Sequence, residues 1–196
     1  MKVIIIEGPD NSGKNTLIHW IIEHYNNVKI VHCDRPKSKD NPFLEQKQTF
    51  LKLANDAIID NIKNNVDVLV FNRYYQGEYV YGQMYRNGNA EEILKMIYNL
   101  ESYLKNNIGD DNIFYVQLAS KSSRLLQKND DGKSLSNNDY EKICQEQSLF
   151  REVFDKSTLK NKRKIFINKK RDWENFRSRS EILHDFVDFV SPSERA

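Results

Sequence analysis

The chain alternates short apolar runs with longer segments in which apolar residues recur every three or four positions. Val3, Ile4, Ile5 and Ile6 form the first run, unbroken and β-branched, as suits a strand buried on both faces. Similar runs follow at 28–32, 66–71, 112–118 and 164–168. Between them the spacing predicts helices over 15–26, 43–64, 91–106, 139–156 and 173–190, with a short one at 122–128. Phe50, Leu53, Ala54, Ala57, Ile58 and Ile62 share one side of the second helix, as Phe176, Ile182, Leu183, Phe186, Val187 and Val190 do on the last. Residues 33–42, punctuated by Pro36 and Pro42, and the polar stretch 129–138 read as loops, and the tail from 191 as frayed. Strands alternating with helices predict an α/β domain with about five parallel strands and helices on both faces. Ligands of such sheets lie beyond the carboxyl ends of the strands. Chemistry is therefore sought at 8–14, 33–36, 72–75 and 119–122.

Composition removes several function classes. A length of 196 residues suits one domain, and 30 basic against 28 acidic residues leave a charge of +2, which argues against a nucleic-acid or membrane-surface binder. Cys33 and Cys144 have no paired or metal-ligand spacing, and neither do the four histidines, of which His19 and His24 fall on a helix surface. No leader peptide and no membrane span are expected, because the apolar runs are short. A reduced cytoplasmic setting follows as the expectation, the host's cytoplasm if the source is viral. The Asn-Asn pairs at 106–107 and 137–138 read as compositional bias.

The chemistry is concentrated directly after the first strand. Gly8, Pro9, Asp10, Asn11, Ser12, Gly13 and Lys14 match the phosphate-binding loop G-x-x-x-x-G-K between a strand and a helix. The glycines permit the turn, inward N–H groups and the helix N-terminus cradle a polyphosphate, and Lys14 reaches it as a mobile, exposed charge. The next position normally offers a hydroxyl to Mg²⁺; Asn15 stands there, with Thr16 one place on. The Asn15 carboxamide oxygen is itself a ligand for a hard cation, directly or through water. A guanine-reading Asn-Lys-x-Asp is absent, since Asn168-Lys169-Lys170-Arg171-Asp172 is out of step by one. A motor-type carboxylate at the third strand's end is absent too, since Asn72 follows Phe71.

Glu7-Gly8-Pro9-Asp10-Asn11-Ser12-Gly13-Lys14, with Asn72-Arg73-Tyr74 after the third strand, resembles the thymidylate kinase family of P-loop nucleoside-monophosphate kinases. Their loop reads E-G-x-D-x-x-G-K and their signature Asp-Arg-Tyr. An aromatic and polar run from Gly77 to Arg86 follows, and Asp139-Tyr140-Glu141 looks like the family's lid exit. The resemblance implies a three-layer P-loop kinase fold over 1–196 with a small lid at about 128–140, ATP and Mg²⁺, and phosphoryl transfer to a deoxynucleoside monophosphate, dTMP in that family.

The same resemblance implies residue roles. Arg73 and Arg35 would hold the acceptor's phosphate, which suits a planar guanidinium. Asp10 would contact the acceptor's sugar, and Phe50, Tyr74 and Tyr81 would stack on its base or line its pocket. Lys14, Arg73 and Asp10 would form the catalytic group. Charge on the transferring group must be neutralised by mobile cations, here drawn from Arg124, Lys128, Lys133 and Arg151 around the lid, with Gly132 easing its closure. With Asn72 and Asn15 in place of the family's residues, either Mg²⁺ would be held through water by Asp10 or Glu7, or the enzyme would be slow. The helix over 43–64 lacks the family's base-reading arginine and carries Gln48, Lys52, Asn55 and Asp56, so the base is open. Small nucleotides are the expected partners, with a possible homodimer through the helix over 91–106. A deoxynucleoside kinase and a catalytically weak nucleotide-binding P-loop protein are the alternatives.

Overall fold

The computed structural model describes residues 1–37 and 40–191, and within them not the side chains of 60–62. Loop residues 38–39, the Ile62 side chain and the expected frayed tail from 192 lie outside the described residues. Five strands, β1 (Lys2–Glu7), β2 (Val28–His32), β3 (Val68–Asn72), β4 (Ile113–Ala119) and β5 (Asn161–Phe166), pair in the order β2-β3-β1-β4-β5, all parallel. Helices α1 (Lys14–His24), α2 (Pro42–Asn64), α3 (Tyr75–Tyr85), α4 (Ala90–Ile108), α5 (Ser123–Lys128), α6 (Tyr140–Lys156) and α7 (Arg179–Val190) connect them and cover both faces. No helix among the described residues is long and apolar enough to cross a membrane.

Alternation along β1 divides the core in two. Val3 and Ile5 pack with Leu69, Phe71 and Tyr115 beneath α2, α3 and α4, while Ile4 and Ile6 pack with Val70, Val116 and Ile165 beneath α1 and α7. All four β1 side chains are fully buried, the position a central parallel strand dictates. The segment after β1 therefore emerges at the middle of the sheet, where the order turns from β3 to β4.

Three expectations change. Residues 75–85 form a helix that the sequence hid as a polar and aromatic run: Tyr75 to Gly82 are all buried, so no polar face marks the period. The last strand lies at 161–166 rather than 164–168, an edge strand of Lys and Arg whose partner is β4. The last helix starts at Arg179, not Trp173, because Ser178 caps it in a capping box with Glu181. Residues 168–176 instead turn back on themselves, with Asn168 bridged antiparallel to Phe176.

The asparagine bias is partly structural. Asn11, Asn27, Asn65, Asn87, Asn137 and Asn138 all adopt positive φ, the backbone region that asparagine tolerates best after glycine. Arg73 shares that region at φ 63.

Candidate functional site

β1 ends at Glu7, and the chain turns at Gly8, whose φ is 142. A Cβ there would come within 2.4 Å of the Leu118 carbonyl oxygen, so β4 leaves room only for glycine. Gly13, at φ 87, releases the chain into α1. Lys14 is only 7% exposed, contrary to the mobile charge expected. Its Nζ donates to the carbonyl oxygens of Gly8 (2.9 Å) and Pro9 (2.6 Å) and to Ser12 Oγ (3.4 Å). Burial, and then the neighbouring Arg73, push its pKa down to about 7.

The tip of β3 brings in the second cation. The Arg73 amide donates to the Ile6 carbonyl at 3.0 Å, and the left-handed backbone turns its guanidinium over the loop. There it donates to the Asp10 carboxylate and to the Tyr81 hydroxyl (2.9 Å). Burial works against its charge, but Tyr81, Asp10 and Glu7 outweigh it and keep the guanidinium firmly protonated. Glu7 Oε1 accepts from the amides of Tyr74 (2.6 Å) and Gly77 (3.1 Å), so it sets the first turn of α3. Burial raises its pKa against those amides, Arg73 and Lys14.

From α6, Glu146 accepts the Tyr85 hydroxyl at 2.7 Å. Burial lifts its pKa to about 7, against that hydroxyl, with Asp10 raising it further and Arg73 and Lys14 opposing. The group is thus three carboxylates, Glu7, Asp10 and Glu146, and two cations, Lys14 and Arg73, packed together.

Two cavities meet here. The outer one, about 650 Å³, is lined by Gly13, Lys14, Asn15, Thr16 and, from the 129–138 segment, Lys133. The inner one, about 230 Å³, runs under Phe50, Tyr74 and Tyr81 toward Glu78 and Arg86. Asp10, Cys33, Asp34, Arg35 and Arg73 line both.

No protein-family model and no curated protein matches the chain. Solved structures do. The YorR protein of Bacillus subtilis, in complex with phosphorylated GDP, superposes with a TM-score of 0.67 over 98% of this chain and 97% of that one, at 17% identity. Polyphosphate kinase 2 of Arthrobacter aurescens TC1 gives 0.55 at 12% identity over 84% of this chain, which spans 59% of that one. The chain has the P-loop kinase fold. The likeness reaches that fold and does not single out thymidylate kinases.

Within the P-loop kinase fold, residues 129–138 lie over the phosphate loop. Asp130 gathers them, accepting from the amides of Gly132 and Asn138 (both 3.0 Å) and from the Ser134 hydroxyl. The Lys133 carbonyl takes a hydrogen bond from Arg35 at 3.4 Å. Leu135 packs against Val80, Tyr81 and Phe150. Asp139, at the expected lid exit, caps α6 through the amides of Glu141 (2.9 Å) and Lys142 (3.2 Å).

Not every candidate reaches the cavities. The Arg124 side chain is 75% exposed, faces Glu174 at 3.9 Å and lines a separate surface cavity with Lys128. Arg151 belongs to another cavity, beside Lys121 and Trp173. Of these four, Lys133 lines the outer cavity, since α5 carries Arg124 and Lys128 outward. Tyr74 lines the inner cavity but is held by the core, stacked on Phe71 at 4.1 Å with its hydroxyl donated to the Phe50 carbonyl. Tyr81 lies under the Arg73 guanidinium, 5.3 Å from ring centre to charge, which leaves it facing the site. Gln46, Glu78, Arg86 and Glu146 line or adjoin the site without having been singled out in the sequence. Their signal is a charged or amide side chain inside a buried helical face, visible only once the faces are known.

Beside the loop and the tip of β3, the groups that could meet a metal include the Asn15 and Asn72 amides and the Asp10 carboxylate. Asn15 Oδ1 accepts from Asn72 Nδ2 at 3.2 Å, and Asn72 also contacts His32 Nδ1 at 3.1 Å. Among the described residues no cluster of three His, Cys, Asp or Glu side chains suits a metal ion. The set of Asn15, Asn72 and Asp10 fits a hard cation that keeps most of its waters and is bound chiefly by substrate phosphates.

Proposed function

We propose that the chain is a single-domain nucleotide kinase over 1–196, with a lid at about 128–140, that moves the γ-phosphoryl group of ATP to a nucleoside monophosphate. The observation that carries this reading is the junction of the two cavities at Asp10, Arg35 and Arg73, with the phosphate loop lining the outer one. A triphosphate on the loop and a monophosphate in the inner cavity would meet at that junction. The acceptor's phosphate oxygen forms the new bond to Pγ, the bond from Pγ to the bridging oxygen breaks, and ADP leaves with the electron pair.

Lys14 and the loop amides hold the β- and γ-phosphates, and Arg73 with Arg35 holds the acceptor's phosphate. Asp10 orients Arg73 and stands at the acceptor's sugar. Mg²⁺ supplies charge neutralisation on the transferring oxygens when bound, and Asn15, Asn72 and Asp10 are the residues that would meet it. The guanine nucleotide bound to the Bacillus subtilis protein supports a nucleotide as ligand. The resemblance nominates thymidylate as acceptor, while the lining of the inner cavity favours another base. Two guanidiniums at the junction favour a phosphorylated acceptor over a free nucleoside.

ADP release from ATP, measured with a panel of nucleoside monophosphates over a Mg²⁺ series, tests the reading. Turnover with at least one acceptor is expected, and turnover with none overturns it. A second reading, a nucleotide-binding protein of weak activity, is favoured by the contact between Asn15 and Asn72 where a carboxylate would otherwise hold the metal. Tight ATP binding without turnover at high Mg²⁺ is its signature.

A further inference from the structure

The inner cavity carries side chains that phosphate transfer does not use. Its 230 Å³ is below the roughly 300–1,000 Å³ of drug-sized sites, a size for one nucleobase rather than a whole nucleotide. Phe50 and Tyr81 give it apolar walls. Away from the junction with the outer cavity its charged and amide side chains are Gln46 from α2, Glu78 from α3 and Arg86 at the C-terminal cap of α3.

Each of the two acceptors is left incomplete. Glu78 is 3% exposed and pairs with Arg86 through Oε2, while Oε1 has no hydrogen-bond partner among the described residues. Gln46 is 4% exposed, its Nε2 donates to the Asp34 carbonyl at 3.1 Å, and its Oε1 has no partner among the described residues. Buried acceptors without donors are destabilising, and a buried ion pair is a poor source of stability. A clamp between α3 and its cap needs no orphaned oxygen, whereas a recognition site waiting for donors does. The fold also makes room for this carboxylate: a Cβ at position 82 would stand 2.8 Å from Glu78 Oε1, and the residue there is glycine.

The four bases offer different complements to two acceptors and a guanidinium. Thymine presents one ring N–H between two carbonyls. Adenine and cytosine each present one amino group beside a bare ring nitrogen. Guanine alone presents a carbonyl, a ring N–H and an amino group side by side. We propose that Glu78, Arg86 and Gln46 select guanine, so that the monophosphate taken into the inner cavity is dGMP or GMP. Arg86 donates to the carbonyl O6, Glu78 accepts from the ring N–H and the amino group, and Gln46 Oε1 takes the remaining N–H. Calling that ligand the phosphoryl acceptor rests on the nucleotide-kinase reading; the choice of base does not.

Equilibrium binding, measured by calorimetry without ATP for dGMP, dTMP, dCMP and dAMP, tests the choice. One well-placed pair of hydrogen bonds discriminates by about ten- to a hundredfold, and dGMP is expected to bind tighter than dTMP by that factor. Glu78→Gln should remove most of this advantage while leaving dTMP within about threefold of its own value, a pattern that a merely structural role would not produce. Gln46→Leu should reduce the advantage as well, and serves if Glu78→Gln fails to fold. Equal or tighter binding of dTMP, or no binding of dGMP at millimolar concentration, overturns the proposal. Preferential dGMP binding without ADP release upholds the guanine site and sinks the kinase reading, whereas ADP release with dTMP and not dGMP does the reverse.

Discussion

Asn11 of the phosphate loop donates its side-chain N–H to Asp130 at 3.3 Å, so one carboxylate both shapes residues 129–138 and ties them to the loop beneath. The other oxygen of Asp130 holds Ser134 and Asn138, and its pKa lies below the usual range, first because of the Ser134 hydroxyl. Asp130→Ala should free residues 129–138 at little expense in stability, about 1 kcal/mol or less for an exposed turn. Faster proteolytic nicking within that segment is expected, with a several-fold rise in KM for ATP. Unchanged nicking and KM would show that the tie is incidental.

Lys14 is buried among its own loop's carbonyls with a pKa near 7, so at pH 8 the free protein carries it mostly neutral. A bound triphosphate restores the charge. ATP binding at pH 8 should therefore take up close to one proton, read by calorimetry in buffers of different ionisation enthalpy. Lys14→Met should abolish the uptake and lower transfer by about a thousandfold or more. Its melting temperature should stay within a few degrees, because the lost hydrogen bonds are offset by removal of a buried cation. Proton uptake that survives in Lys14→Met would assign the proton elsewhere.

Glu146 titrates from a raised position, about 7 against 4.5 in an unfolded chain. Between those values the folded state holds the extra proton, so its contribution is complete below about pH 4.5 and is lost as pH rises through 7. The shift is equivalent to about 3 kcal/mol at most. The melting temperature should therefore fall by several degrees from pH 5 to pH 7.5, and Glu146→Gln should flatten that slope. An equally steep slope in the variant would exclude this carboxyl as its source.

Asn72 holds Asn15 by an amide contact at the tip of β3, where a carboxylate would bind a metal more strongly. Asn72→Asp should lower the Mg²⁺ concentration for half-maximal turnover by about tenfold. No change would mean that the metal is held by the nucleotide's phosphates and water alone.

The central architecture was legible because burial on both faces makes β1, β3 and β4 read as continuous apolar runs. The phosphate loop was legible because Gly8 and Gly13 are required by backbone geometry and steric room rather than by packing chemistry. Helix α3 was hidden, since Tyr75 and Tyr79 fill the interior on one side, Tyr81 on another, and two glycines dilute the pattern. The cavity that brings Gln46 and Glu78 into one lining depends on where α2 and α3 sit over the sheet, which no local spacing encodes. Lys14 was misjudged for a related reason: its own loop's carbonyls are near in sequence, but their direction is set by the turn at Gly8.

At position 73 the side chain is kept at the expense of the main chain. A left-handed arginine forgoes about a kilocalorie or more that glycine or asparagine would recover there. Selection for heat resistance alone should thus drift toward those two residues and leave a sturdier, silent protein. Conversely, among hardened variants that still turn over, this codon is the one that should resist exchange.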